Sequence, residues 1–300
     1  MPINTSDYRF GGEFDGQGHA LTNVVIPDRG EERTGLFNTI EKATVKNLKL
    51  TGEYYSSKKF IGGITGYTYG NCIIDNCDVA VNIHSLIKAD DKGNPNDGTH
   101  GGLIGVNETA GTVVSNCLVN CPMFGESTNS CGGVCGWATE KLTVKNTLII
   151  SQGSTIDTNS CNTISRNDGN CSVSNVYFLE PIGSENGEQV TVEELASGEV
   201  TYKLNGEQSD DPVWFQTLGT DATPHLFKGL TVYFVNGEYT NEPPTTKGDL
   251  NNDGTVNFTD ATSILTVMGT GEYNAAADVN NDGVVNFTDY MSILTIMGNQ

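Results

Sequence analysis

Residues 45–48 read Val45-Lys46-Asn47-Leu48, and this phrase decides the fold because it returns along the chain. An apolar residue, any residue and an asparagine, followed by a short alternating strand, also occur at Leu21-Thr22-Asn23-Val24, Ile74-Asp75-Asn76-Cys77, Val114-Ser115-Asn116-Cys117, Val144-Lys145-Asn146-Thr147 and Val173-Ser174-Asn175-Val176. The asparagines are separated by 24, 29, 40, 30 and 29 residues. About ten residues ahead of several of them stands a glycine phrase: Gly35-Leu36-Phe37, Gly62-Gly63-Ile64-Thr65-Gly66, Gly101-Gly102-Leu103-Ile104-Gly105 and Gly132-Gly133-Val134-Cys135-Gly136. Two landmarks kept in register over several copies mark a solenoid.

The strand chemistry says which solenoid. Each copy carries short period-two segments, such as Val144, Leu148 and Ile150, bounded by Gly, Asn and Asp. None holds a helix-length amphipathic stretch. A coil of roughly 24 to 30 residues with two or three short strands stacks into a parallel β-helix, its coils about 4.8 Å apart. The asparagine column then forms an internal ladder at a corner, each amide bonding to the next coil. The glycines take turns that need positive φ or close backbone approach. The 40-residue interval is expected to contain an exposed excursion at Lys88–Thr99.

The phrases Gly12-Glu13-Phe14-Asp15-Gly16-Gln17-Gly18-His19, Gly35-Leu36-Phe37, Val45-Lys46-Asn47-Leu48 and Gly101-Gly102-Leu103-Ile104-Gly105 resemble the GLUG-type repeat of bacterial surface proteins. The resemblance covers roughly residues 8–180 and implies an all-β right-handed parallel β-helix of a secreted, adhesin-like protein.

Composition fits that reading. The 300 residues include 36 glycines and carry a formal charge of −21, which disfavours nucleic acid and anionic membranes as partners. No apolar run is long enough to cross a bilayer, so no membrane insertion is expected. Met1-Pro2-Ile3-Asn4 leads into a polar segment rather than a leader, so the chain reads as a mature or trimmed segment. The eight cysteines, Cys72, Cys77, Cys117, Cys121, Cys131, Cys135, Cys161 and Cys171, fall inside the repeats. Cys77 and Cys117 follow ladder asparagines and should share a column, as should Cys72 and Cys171. Buried free thiols are the favoured reading. Disulfides, at Cys131–Cys135 or between coils, are the alternative, and zinc comes last.

Residues 1–180 are therefore assigned to the β-helix and 181–242 to its cap or final coils, which shield an open end. Within that segment Thr191 ahead of Val192-Glu193-Glu194 is a capping-box-like start, and Leu195 then Gly198 suggest a short helix. Trp214 and Tyr233 are read as cap core, with a carbohydrate platform as the alternative. Residues 243–247 are a stiff polar linker.

Residues 248–300 begin with Gly248-Asp249-Leu250-Asn251-Asn252-Asp253-Gly254-Thr255-Val256-Asn257-Phe258-Thr259-Asp260, and the pattern returns 29 residues later as Asp278-Val279-Asn280-Asn281-Asp282-Gly283-Val284-Val285-Asn286-Phe287-Thr288-Asp289. Oxygen donors stand at loop positions one, three, five, nine and twelve, with Gly at six. That is the spacing by which a twelve-residue loop wraps calcium. The candidate ligands are Asp249, Asn251, Asp253, Thr255 through its carbonyl, Asn257 and Asp260, then Asp278, Asn280, Asp282, Val284 through its carbonyl, Asn286 and Asp289. Two Ca2+ ions are expected, because each loop gathers three carboxylates that repel one another without a divalent cation. Apolar helices follow, one with Ile264, Leu265, Val267 and Met268 and the other with Ile293, Leu294, Ile296 and Met297. Neither loop has a full incoming helix.

This arrangement resembles a dockerin, a module that binds a cohesin on a scaffoldin or cell surface, from Gly248 to the C-terminus. The resemblance implies that the partner is read at Phe258, Thr259, Leu265 and Thr266, and at Phe287, Thr288, Leu294 and Thr295. The two sets match in residue type, so a nearly two-fold surface and two docking orientations are expected. Packing between the helices is the competing role for the two phenylalanines.

Chemistry in the β-helix is harder to find. Arg9, Arg29, Arg33 and Arg166 are scattered, Asp75 and Asp78 flank the ladder, and His19 belongs to a repeat landmark. Asp90, Asp91 and Asp97 fall in the excursion. None of these forms the paired carboxylates or the basic patch that glycoside hydrolysis or uronate elimination needs. The expectation is a secreted, non-catalytic β-helix that contacts a surface or polysaccharide and is anchored by its dockerin. The alternative is a polysaccharide lyase or glycoside hydrolase delivered to a cellulosome-like complex.

Overall fold

The computed structural model describes residues 3, 8–235, 237–243, 247–251, 255–271 and 273–298. Asn252, Asp253 and Gly254 of the first loop, Pro244, Thr245 and Thr246 of the linker, and Met1, Pro2 and Asn4 lie outside the described residues. Two compact units divide at Asn241 and Glu242.

The first unit is a parallel β-solenoid of about six coils, and its corners explain the repeat. Asn47, Asn76, Asn116, Asn146 and Asn175 all sit in the left-handed region, with φ between 47° and 53°. Asparagine visits that region more readily than other side-chain-bearing residues. One such residue resets the strand's alternation. The residue two before each asparagine points inward, and so does the residue immediately after it. The first set stacks in register as Phe14, Val45, Ile74, Val114, Val144 and Val173. The second includes Leu48, Cys77, Cys117, Thr147 and Val176, each at most 2% exposed. A third column, Leu50, Val79, Val119, Ile149 and Phe178, follows two residues on.

The amides bond along the same corner. Asn76 donates to Asn47 Oδ1 at 2.8 Å, Asn146 to Asn116 at 3.2 Å and Asn175 to Asn146 at 3.0 Å. Asn47 donates to Asp15 Oδ1 in the preceding coil. Across the long interval the ladder steps sideways, and Asn116 donates to Asp75 Oδ1 at 2.9 Å. Asn23 is a correction to the repeat register. Ala20 pairs with Lys49 and Val24 with Gly52, with a bulge between, so Asn23 lies beyond the corner. Its φ of 54° belongs to the bulge, which selects the same residue type for the same steric reason.

Among the described residues the long sheet has ten strands and includes Ala20–Ile26, Thr44–Ser56, Ile73–Ser85, Leu142–Ile149 and Cys171–Phe178. The short sheet stacks Phe37–Glu41, Thr65–Tyr69, Ile104–Asn107 and Cys135–Ala138. All these strands run parallel. The glycine phrases pack backbone on backbone beside the short sheet. A Cβ on Gly101 would meet Ile104 O at 2.0 Å and Gly136 N at 2.4 Å. The excursion is more ordered than its composition suggests, because Asn96–Asp97 pairs in parallel with Thr128–Asn129 and His100 is buried. His100 accepts from Ile61 N–H and bonds Ser85 Oγ; burial lowers its pKa to about 3 and keeps the ring neutral.

All eight cysteines are free thiols, seven of them buried. Cys131 N–H bonds Cys161 Sγ in the neighbouring coil, so Cys131 stacks on Cys161 rather than facing Cys135. Burial pushes the Cys121 and Cys135 thiols up to about 12, which leaves them protonated at neutral pH.

In residues 181–241, Glu188–Gln189 extends the long sheet. Helices α1 (Val192–Ser197) and α2 (Glu199–Leu204) follow, with the Thr191–Glu194 capping box formed. Val190, Leu195, Val200, Leu204, Trp214 and Leu226 share one core cluster with Leu118, Leu148 and Tyr177. This segment therefore packs along the outward flank of the coils, from Tyr177 and Leu148 back to Gly18, where a Cβ would meet the Phe227 ring at 3.8 Å.

If the corner conformation matters beyond the amide bonds, Asn146→Gly and Asn146→Ala must differ. Glycine keeps φ free and loses the bonds, for about 1 kcal/mol. Alanine adds left-handed strain, for about 2–3 kcal/mol in total. Chemical denaturation measures both, and equal losses would contradict the conformational account.

Candidate metal centre and docking surface

In the second unit each loop runs directly into a helix, α3 (Phe258–Thr270) and α4 (Phe287–Gly298). Asn257 caps α3 by accepting from Thr259 N–H at 2.7 Å, and Asn286 does the same for Thr288 N–H at 2.8 Å. Asp260 closes its loop from the other side. One oxygen accepts from Leu250 and Asn251 N–H, and the second accepts from Asn257 N–H at 2.9 Å. Asp289 repeats this with Asn280 and Asn286 N–H. Position twelve is thus also the third residue of a helical capping box.

Carboxylate oxygens of Asp278, Asp282 and Asp289 lie within 4.8 Å of one another. Asn280 Nδ2 bonds Asp282 Oδ2 at 2.9 Å. This is a hard-oxygen donor set, which fits calcium. Burial opposes ionisation of Asp278, but Gly283 N–H, the Tyr273 hydroxyl, Asp282 N–H and Lys247 outweigh it and hold its carboxyl below the usual range. Lys247 Nζ also bonds Asp278 O at 2.6 Å and the Asn281 side chain. In the first loop Asp249 and Asp260 are buried. Asn257 and Asn286 point their oxygens at the helix amides, so the structure gives them a capping role.

Val256, Ala261, Ile264, Ala277 and Ile293 form the core of this unit. Phe258 is 62% exposed and Phe287 59%, so both stand outside it. Thr259, Leu265, Thr266, Thr288 and Thr295 are exposed too. Leu294 differs from its counterpart Leu265 by packing against the core. Phe287 stacks on Tyr290 at 5.5 Å, where the first repeat has buried Ala261. Met291 replaces Thr262 on the same face. The two-fold relation therefore holds at the Phe–Thr pairs and weakens along the helices.

The dockerin type I domain family matches residues 247–295. Residues 247–295 are a dockerin type I domain. Such domains bind calcium and cohesin modules in general. A relative described as a "Putative Gly-rich membrane protein" from Evansella cellulosilytica is 36% identical over 84 residues, 27% of this chain and 10% of that protein. The chain thus spans about a tenth of that relative's length. Among solved structures, a "putative immunoglobulin A1 protease" from Bacteroides ovatus superposes with a TM-score of 0.44 at 17% identity, over 71% of this chain and 77% of that one. A likeness that distant carries no argument about activity.

In the solenoid, Asp75 accepts from Ser115 Oγ and Asn116, and Asp78 pairs with Lys49 at 2.9 Å. Asp97 holds Ser130, Arg166 and Lys59. Three of the four scattered arginines cover rings, Arg9 over Tyr69, Arg33 over Tyr67 and Arg166 over Trp137, while Arg29 pairs with Glu31 at 2.8 Å. Trp214 is fully buried, which removes it as a carbohydrate platform. Sequence reasoning passed over Glu53, Asn82 and His84. His84 Nε2 lies 2.5 Å from Glu53 Oε2, and Asn82 donates to Glu53 Oε1 at 2.7 Å. Counting six and eight residues past each ladder asparagine would have found them.

Asp282→Ala is expected to weaken one calcium site at least about tenfold. Asp289→Ala should also unwind the start of α4, because it removes two amide bonds. Calcium titration calorimetry with circular dichroism at 222 nm separates the two, and unchanged calcium affinity in both variants would contradict the assignment.

Proposed function

We propose that the chain is an extracellular, non-catalytic β-solenoid anchored to a cohesin-bearing scaffold or cell surface through its calcium-ordered dockerin. The observation that carries this reading is the duplicated loop and helix, with its clustered carboxylates and its exposed Phe–Thr pairs. Each loop takes one Ca2+. The first site uses Asp249, Asn251, Asp253, the Thr255 carbonyl and Asp260, and the second uses Asp278, Asn280, Asp282, the Val284 carbonyl and Asp289. Asn257 and Asn286 serve as helix caps and reach the ions only through water. Calcium relieves carboxylate repulsion within each loop and thereby fixes the directions of α3 and α4.

Phe258 and Thr259 form one reading surface with Leu265 and Thr266. Phe287 and Thr288 form the other with Thr295 and the partly packed Leu294. Large, exposed aromatic anchors beside small hydroxyls suit a protein partner, since such residues dominate interface energetics. The non-catalytic reading of the body rests on how its acids are used: Asp75, Asp78 and Asp97 are each held by neighbouring coils. The resemblance of residues 8–180 to GLUG-type repeats supports a surface-contact role. No helix among the described residues is long and apolar enough to cross a membrane.

Binding to a panel of immobilised cohesins, with and without chelator, tests the anchoring. Binding that survives calcium removal would overturn it. Replacing Phe258 and Thr259 with Ala, or Phe287 and Thr288, should each cost about tenfold or less, because the other surface takes over. All four replacements together should abolish binding. Loss from one repeat alone would mean a single orientation.

A further inference from the structure

We infer that the outward face of the long sheet over the early coils binds a neutral polysaccharide, laid along the solenoid axis. This deepens the surface-contact reading of the body and is independent of the dockerin.

Strand alternation builds the face. Tyr54 and Ile83 point inward and are fully buried, so Glu53, Tyr55, Asn82 and His84 point outward, each half-buried. Register places Glu53 beside Asn82, Tyr55 beside His84, and His84 beside Phe124. The result is two parallel columns, one polar and one of rings. The Tyr55 and His84 rings stack at 4.5 Å and 8°, and His84 and Phe124 at 5.2 Å and 23°. Next to them a shallow groove of about 320 Å³ runs between strands Ala20–Ile26, Thr44–Ser56 and Ile73–Ser85. The Asn23 bulge borders it, and Val25 on its wall is 54% exposed. Its lining comes entirely from these strands, whereas the segment carrying Trp214 follows a neighbouring column of the same sheet, over Leu118, Leu148 and Tyr177 and back to Gly18.

Chemistry names the ligand class. Burial opposes ionisation of Glu53, but bonds from His84 and Asn82 outweigh it and hold its carboxyl below the usual range. The groove lining contains no cation, and nearby Lys49 is engaged by Asp78 at 2.9 Å. With His84 Nε2 already engaged by Glu53, the groove lining keeps no free cation to attract uronates or sulfated chains. Glu53 and the Asn82 carbonyl accept hydrogen bonds from hydroxyls, and the ring column offers an apolar flank to the C–H faces of a pyranose. Successive coils repeat about every 4.8 Å, close to one sugar unit of an extended chain, so neighbouring units meet neighbouring rungs, Glu53 on one and Asn82 on the next. A peptide is a poorer fit. Strand addition needs an unpaired edge, and the backbone here is already paired on both sides.

The test is isothermal titration of the full chain with cellohexaose and xylohexaose, using hexagalacturonate as the anionic control. The account expects binding of at least one neutral hexasaccharide, weaker or absent binding of the anionic one, and no change on adding chelator. Glu53→Gln, close to isosteric, and Asn82→Ala should each weaken binding about tenfold with the unfolding midpoint of the solenoid retained. Preference for hexagalacturonate, binding of neither neutral probe, or unchanged affinity in both variants would overturn the proposal. Because the glycan readout is insensitive to chelator and cohesin capture is not, failure of one leaves the other standing.

Discussion

Everything in the solenoid depends on one backbone constraint, the left-handed residue at the ladder corner. Without it, strict alternation would turn the residue after each asparagine outward, and the column running through Leu48, Cys77, Cys117, Thr147 and Val176 would face solvent. Burying a Leu or Val side chain stabilises by about 1.5–3 kcal/mol, while an amide bond contributes about 1. The corner therefore earns its conservation of type within the chain through the columns it aligns, and the amide ladder sharpens the register. The same geometry that buries one set of residues presents the other, which is how Glu53, Tyr55, Asn82 and His84 come to share a face.

The dockerin solves a different problem with a similar economy of residues. Its helices are short and its core small, with Ile264 and Ile293 at the centre. Asp260 and Asp289 each tie the start of a loop to the first turn of a helix, and they bring charge into a nearly dry position. A buried carboxylate beside two others is costly unless a cation is present. The proposed calcium dependence thus draws on packing as well as on ligand spacing.

The period of the solenoid could be read because asparagine is nearly the one side-chain-bearing residue suited to that corner, and the dockerin module at 247–295 because its loop spacing repeats. Other features could not be read, for physical reasons. A second left-handed corner holds Arg33, Phe60, Thr99, Ser130 and Ser160, which share no chemistry and are held there by the coils around them. Asn23 misled because a bulge and a corner demand the same conformation. Glu53 and His84 are 31 residues apart and meet only through coil register. The asymmetry between Leu265 and Leu294 arises from packing, which identical residue types conceal.

The central claim is that calcium orders the docking module while the solenoid stands without it. Hydrogen–deuterium exchange of the intact chain, with calcium and with chelator, tests this most directly. The account predicts that amides of α3, α4 and their loops gain protection only with calcium, while those of 45–56, 73–85 and 142–149 exchange equally slowly in both. Loops protected in chelator, or a solenoid that opens when calcium is removed, would contradict it.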